Sequence, residues 1–142
     1  IFKGMLVTPP PCSINNDTTI RVPFGDRLSI RKVKEGRYLE EVKYNLVCDS
    51  TVGNDWKLML SVRGNLATFD NVDQATVATS VGNIGNLGVK IFRDGHPFTF
   101  DTPVEISLSA LPKIEALLVQ RANVDLVEGV FEATVTLKAE YL

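Results

Sequence analysis

A chain of 142 residues, 44% of them hydrophobic, holds enough material for one domain with a single sizeable core and too little for a comfortable second one. Its 15 basic and 17 acidic side chains leave a formal net charge of -2, and no run of Lys or Arg offsets this locally, which excludes the electrostatic footprint of a nucleic-acid binder. No apolar run approaches the ~20 residues of a membrane-spanning helix and no basic-then-apolar leader opens the sequence, so the chain is expected to be soluble. A mature secreted protein also lacks its leader, so this does not argue for the cytoplasm.

The chain begins with Phe2, Gly4 and Leu6 alternating with Lys3 and Met5, the two-residue period of a short strand. Pro9-Pro10-Pro11 then stops any ladder, because proline has no amide hydrogen to donate, and so sets this strand apart from the rest of the chain. An ordinary edge strand of the same domain fits the periodicity equally well. Runs rich in Val, Ile, Leu, Phe and Thr come next at Thr19–Val22, Leu28–Val33, Val42–Cys48 and Lys57–Val62, and each reads as a strand. Arg31-Lys32-Val33-Lys34 is the densest basic stretch, but Glu35, Glu40 and Glu41 come close behind, as on a solvated face.

Gln74–Ser80 fits one helical turn or a strand. Gly82-Asn83-Ile84-Gly85-Asn86-Leu87-Gly88 matches neither the dinucleotide fingerprint nor a P-loop ending, and reads as a connection feeding a strand over Leu87–Arg93. Within that strand the apolar run is Val89–Phe92. Arg93-Asp94-Gly95-His96-Pro97 predicts a hairpin, since Asp-Gly supplies the backbone conformations of a tight turn. Further strands are expected at Phe98–Phe100, Val104–Leu108 and Ile114–Val119. Short strands at these intervals, with few helix signals, make a β-sandwich or barrel.

The final strand, Val130–Tyr141, carries the clearest pattern. Phe131, Ala133, Val135, Leu137, Ala139 and Tyr141 share one face, and Glu132, Thr134, Thr136, Lys138 and Glu140 share the other, as in a strand half-buried on a core. A long apolar strand edge has to be paired or blunted, and no further segment comes after it to cover this one.

Catalytic chemistry has little to build on. His96 is the single histidine; it sits beside a turn, and no Gly-x-Ser-x-Gly elbow accompanies it. Glu40-Glu41 and Asp70/Asp73 read as surface carboxylates, with nothing to place them across a cleft as an acid–base pair. Trp56 reads as a cap on one end of a sandwich core, the alternative being a ligand-stacking ring. Asn16-Asp17-Thr18 fits the glycosylation acceptor pattern, which matters only in a eukaryotic secretory host. Cys12 and Cys48 suit either a structural disulfide in an oxidising compartment or two buried thiols in a reducing one, and neither lies in a metal-binding spacing. No enzyme activity, metal, cofactor or small-molecule substrate is expected.

Taken together, Phe2-Lys3-Gly4-Met5-Leu6 leading through the prolines to Cys12-Ser13-Ile14, a second cysteine closing Asn45-Leu46-Val47-Cys48, Leu87-Gly88-Val89 in the middle, and Gly129-Val130-Phe131-Glu132-Ala133-Thr134 running to Tyr141 resemble the pilus (fimbrial) subunits of the chaperone–usher pathway. The likeness covers nearly the whole chain and is greatest to the minor tip and adaptor subunits of P-type pili. It implies an all-β, incomplete immunoglobulin-like sandwich that lacks its seventh strand and is completed by a donor strand from another chain.

By this resemblance, residues 1–8 form an N-terminal donor-strand extension and residues 9–142 the pilin domain. Members usually carry several more residues before the position of Ile1, so the extension here looks clipped. Phe2, Gly4 and Leu6 would be the donor residues, with Gly4 where the groove leaves no room for a side chain. Phe131, Ala133, Val135, Leu137, Ala139 and Tyr141 would line the acceptor groove or the core beneath it, and Leu142 would offer its carboxylate to basic residues of a chaperone. Cys12 and Cys48 would be joined as a disulfide shaping one wall of the groove. The implied partners are a periplasmic chaperone, an outer-membrane usher and neighbouring subunits, with the protein passing through the periplasm to an extracellular fibre. The alternative is a self-sufficient β-sandwich acting as a lectin or adhesin module.

Overall fold

The computed structural model describes residues 1–15, 22–50 and 55–142. In chain order the elements are β1 (Cys12–Ile14), α1 (Ile30–Lys34), β2 (Leu39–Val42), β3 (Leu46–Cys48), β4 (Leu58–Gly64), β5 (Thr76–Ala78), β6 (Leu87–Arg93), β7 (His96–Pro97), β8 (Val104–Glu105), β9 (Ile114–Gln120) and β10 (Val135–Tyr141). One sheet has the order β2-β9-β6-β5, with β7 also pairing β6; a second runs β10-β4-β8, and β1 pairs β3 apart from both. The ladders are antiparallel throughout the described residues.

Alternation decides which side chains meet between the sheets. Along β9, Ile114, Ala116 and Leu118 are buried while Glu115 and Leu117 are only partly covered, the period-2 signature of a strand with one face on a core. Leu60 and Val62 of β4 do the same from the opposite sheet, and together with Val89 and Ile91 of β6 and the rings of Phe98 and Phe100 they form one cluster. Two antiparallel sheets packed face to face over such a layer make a β-sandwich. At one end a second cluster gathers Leu46, Leu58 and Tyr141, with Trp56 packed against it, so Trp56 caps the core.

Several strands have the bounds their sequence suggests, and the departures have local causes. The hairpin between β6 and β7 has its two-residue loop at Asp94 (φ 50°) and Gly95 (φ 81°), the double left-handed pair of a type I′ turn. Thr76–Ala78 of the ambiguous Gln74–Ser80 stretch is a strand, paired with β6. By contrast, the strand expected over Leu28–Val33 is a helix from Ile30. Ser29 caps it by accepting from the Lys32 N–H at 3.4 Å, Glu35 closes it, and Val33 is its one buried residue. A capped turn with a single inward contact needs no amphipathic stripe, which is why periodicity misses it.

Val42–Cys48 is not one strand. It breaks at Lys43–Asn45, because Leu39–Val42 pairs β9 in the large sheet and Leu46–Cys48 pairs β1. At the break Tyr44 donates its hydroxyl to the Pro112 carbonyl at 2.7 Å. Phe98–Phe100 is a crossing and not a strand: the Phe98 N–H goes to Ile91 of β6, and the Asp101 N–H to Val62 of β4, so the two phenylalanines are buried between the sheets without a ladder. Pairing over Val104–Leu108 stops at Glu105, where Ser107 and Ala110 close a turn. Of the Thr19–Val22 run only Val22 lies within the described residues, in no strand, and the Asn16-Asp17-Thr18 acceptor lies outside them. No helix of the described residues is long and apolar enough to cross a membrane.

Candidate functional site at an open strand edge

The last strand is paired on one side. Leu137 lies opposite Val62 and Tyr141 opposite Leu58, and just past them Lys57 and Leu142 exchange two N–H···O bonds of 2.8 Å. Opposed residues in an antiparallel ladder alternate between hydrogen-bonded and non-bonded pairs. The Lys57–Leu142 exchange therefore sets the phase: Thr136, Lys138 and Glu140 turn their backbone groups to β4, while Val135, Leu137, Ala139 and Tyr141 turn theirs to the other edge. β10 is the terminal strand of its sheet, so among the described residues no strand pairs with that edge.

The same residues send their side chains inward. Phe131, Ala133, Val135, Leu137 and Ala139 pack against the core yet are only half-buried, and Tyr141 at the end is buried. A seam of core residues left half-covered beside unpaired backbone groups is a socket with two complementary offers to an extended chain, ladder hydrogen bonds and apolar pockets at alternate positions. Ladder pairing begins only at Val135. Before it, Glu132 bridges Val81, its N–H reaching the Val81 carbonyl at 3.0 Å and its carbonyl accepting from Ser80 at 2.8 Å, so Val130–Thr134 is held by a loop and not by β4.

Opposite β10, the far wall is made by two stretches. At the Tyr141 end it is β1, held by the Cys12–Cys48 disulfide. The Asp49 N–H donates to the Pro11 carbonyl at 3.0 Å, which makes the adjoining Cys12–Cys48 register pair a non-bonded one, where facing side chains come closest; its Cα atoms are 4.0 Å apart. Cys12, Ile14 and Cys48 pack on the Tyr141 cluster, but no ladder joins β1 to β10. At the other end the wall is the chain around Phe24, whose ring lies 6.4 Å from that of Phe131. There the seam widens into a cleft of about 860 Å³ lined by Phe24, Leu28, Val33, Leu118, Leu126 and Phe131.

The glycine-rich stretch set aside as a connection builds the mouth of this cleft. Asn83 brackets the backbone of Val127 with both arms of its amide, donating to the carbonyl at 2.9 Å and accepting from the N–H at 2.8 Å. Gly82 (φ 78°) lies so close that a Cβ there would stand 2.0 Å from the Val130 carbonyl oxygen. Glycine is needed at this position for both its conformation and its lack of a side chain. The only signal in the sequence is the glycine spacing, which does not say what the loop touches.

Residues 1–11 form no strand and touch little: Phe2 and Leu6 are fully exposed, and nothing lies within 4 Å of where a Gly4 Cβ would be. The structure thus brings Cys12, Cys48 and the inward residues of the last strand together, and it holds Phe2, Gly4 and Leu6 away from them. Leu142 is exposed. His96 is exposed on β7, and among the described residues no cluster of three His, Cys, Asp or Glu could hold a metal. Among the described residues one carboxylate, Asp70, is perturbed, and it shapes a turn. Burial pushes its pKa up, but N–H donors from Ala75, Asp73 and Gln74 and the Thr76 hydroxyl outweigh this and leave it below 3.8. Tyr44 is pushed up to about 12, by burial first and by the charge of Asp94 second.

An antiparallel sandwich whose last strand leaves a bare edge over a half-covered core is an all-β, immunoglobulin-like domain one strand short of closure. The chain matches the fimbrial protein family over residues 1–142 and belongs to it. It is 34% identical to the fimbrial-like protein YfcQ of Escherichia coli strain K12, over 99% of this chain and 85% of that one. It is 27% identical to YfcR of the same strain, over 99% and 79%. In fold it resembles the P pilus rod subunit PapA, with a TM-score of 0.72 at 21% identity over 93% of this chain and 99% of that one. A subunit of a chaperone-usher pilus gives 0.67 at 20% identity over 100% and 93%. The family is one of structural subunits and not of enzymes, and membership places the protein among the subunits of an extracellular pilus on the cell surface.

Proposed function

We propose that this protein is a structural subunit of an adhesive chaperone–usher pilus and polymerises by donor-strand exchange. The observation that carries the reading is the free edge of β10, whose outward-facing backbone groups belong to the residues that line the half-buried seam. Residues 1–8 are the donor extension and residues 9–142 the domain it serves. Phe2 and Leu6 fill pockets in a neighbour, and Gly4 passes where no side chain fits. Val135, Leu137, Ala139 and Tyr141 pair with the incoming strand, and Phe131 and Ala133 extend the groove toward the cleft.

Before assembly, a periplasmic chaperone lends its own strand to the socket and holds the carboxylate of Leu142. It delivers the subunit to an outer-membrane usher, where the next extension replaces that strand. A synthetic peptide of residues 1–9 tests the socket by thermal melting: at 100 times its dissociation constant it should stabilise the chain by about 2.7 kcal/mol. A high-melting monomer whose transition the peptide leaves unmoved would overturn the proposal.

A further inference from the structure

The turn between β6 and β7 holds a reactive pair that neither the strand edge nor the cleft uses. Asp94 is the one Asp or Asn in the chain that is followed by glycine. In such a pair the backbone nitrogen of the second residue can reach the side-chain carboxyl of the first, and glycine, having no Cβ, leaves the approach open. Asp94 and Gly95 are both exposed at the tip of the turn.

The nitrogen is available. A two-residue turn closes through the residues that flank it, here Arg93 and His96, and among the described residues the Gly95 N–H has no acceptor. The carboxyl, by contrast, is engaged. Asp94 brackets the Lys113 backbone, its N–H donating to the carbonyl at 2.8 Å and its Oδ1 accepting from the N–H at 2.8 Å. Pro112, the neighbour of Lys113, is itself held by the Tyr44 hydroxyl at 2.7 Å, so the bracket fastens the turn to a stretch anchored from elsewhere. The carboxyl has to let go of Lys113 before it can swing over the Gly95 nitrogen.

We propose that Asp94-Gly95 is a modification site at which the backbone rearranges spontaneously to isoaspartate, and that the bracket on Lys113 is the guard that slows this in the folded chain. The step needs no co-reactant but water. The Gly95 nitrogen bonds to Cγ of the protonated Asp94 carboxyl, and the hydroxyl leaves with the amide proton as water, closing a five-membered succinimide ring. A water then opens the ring. Addition at Cγ breaks the new bond and restores aspartate. Addition at the main-chain carbonyl carbon of Asp94 breaks its bond to the Gly95 nitrogen instead, so the chain now runs through Cβ and Cγ. That link lengthens the backbone by one atom in a turn built at φ 50° and 81°, and it leaves the carboxylate on Cα, where the bracket on Lys113 cannot re-form. Modified chains should therefore melt earlier than unmodified ones.

The test holds the full chain in mildly acidic buffer, where part of the carboxyl is protonated, and follows isoaspartate at Asp94 by peptide mapping and by labelling with an isoaspartyl-specific methyltransferase. It compares the native chain, the same chain unfolded in urea, and Lys113→Pro, which deletes the N–H that donates to Asp94. A hydrogen bond to a carboxylate is strong enough to slow a reaction that requires its rupture by about tenfold. Isoaspartate should thus form about tenfold faster in urea, and in folded Lys113→Pro, than in the native parent. Lys113→Ala keeps the N–H and should match the parent. Should the proline variant fail to fold, the comparison of native with urea-unfolded chain decides alone. Absence of isoaspartate at Asp94 from both native and unfolded chains would remove the site. Equal rates in the two, or a folded Lys113→Pro as slow as the parent, would overturn the guard.

Discussion

Replacing Gly82 with alanine probes how the cleft is built, and Gly85 supplies the control. Both glycines are left-handed, at φ 78° and 85°, a conformation that costs an L-residue about 1–2 kcal/mol. They differ in surroundings: nothing lies within 4 Å of a Cβ on Gly85, whereas one on Gly82 would meet the Val130 carbonyl at 2.0 Å. Backbone cannot give way as a flexible side chain can, so the 127–132 segment must move. The Asn83–Val127 pair and the Glu132 contacts to Ser80 and Val81 are then strained or lost, at about 1 kcal/mol each. Gly85→Ala should thus cost about 1–2 kcal/mol and Gly82→Ala about 3–5 kcal/mol, read from urea midpoints at constant slope. Peptide affinity gives the second readout, since only Gly82→Ala displaces the cleft mouth and should weaken binding of residues 1–9. Equal destabilisation by the two substitutions, with unchanged peptide binding in both, would refute the idea that this loop shapes the socket.

Removing the disulfide as Cys12→Ala/Cys48→Ala opens a loop whose ends are 36 positions apart; chain entropy puts the cost at about 4 kcal/mol, and a urea midpoint close to that of the parent would count against it. Asp70→Asn should lower the melting temperature at neutral pH by removing the ionised acceptor of four hydrogen bonds. Because the folded-state pKa of Asp70 is depressed, its contribution is complete above the ordinary carboxylate range and lost as pH falls through the folded value. The gap between the two proteins should therefore close in acid, and a gap that persists at low pH would contradict this origin. Deleting Tyr141 and Leu142 should abolish capture by the chaperone in a pull-down, since it removes the carboxylate anchor and the buried ring beside it; retained capture would argue against the anchor.

Legibility tracked range. Strands that bury one face wrote their two-residue period into the chain, so β4, β6 and β9 could be read within a few residues, β10 at its Tyr141 end but five residues too early at its start, and the Asp94-Gly95 hairpin announced itself by local chemistry. Elements fixed by distant partners did not. Nothing in Val42–Cys48 says that its two ends serve different sheets, since Val42 and Leu46–Cys48 are alike apolar; the break comes from where β9 and β1 lie. Phe98–Phe100 looks like a strand because a crossing between two sheets needs buried rings as much as a ladder does. The apolar face of β10 was visible in its alternation, yet the mouth of the cleft hides in Gly82 and Asn83, and Asn83 lies 44 positions from the Val127 backbone it brackets.

Energetics explain why such a socket would need more than a strand. Burying Phe2 and Leu6 is worth about 2 kcal/mol each, and about five ladder hydrogen bonds add roughly 1 kcal/mol apiece. Ordering six residues that are exposed and unpaired costs about 1.5 kcal/mol per residue, so the two sides cancel to within a few kcal/mol. The surplus has to come from elsewhere. One source is the acceptor, whose Val135, Leu137 and Ala139 side chains are only half-buried until a strand covers them. A plug near break-even is also one that can be exchanged, and this is the property that successive replacement of one strand by another demands: a socket filled too tightly by its first occupant would never accept the second.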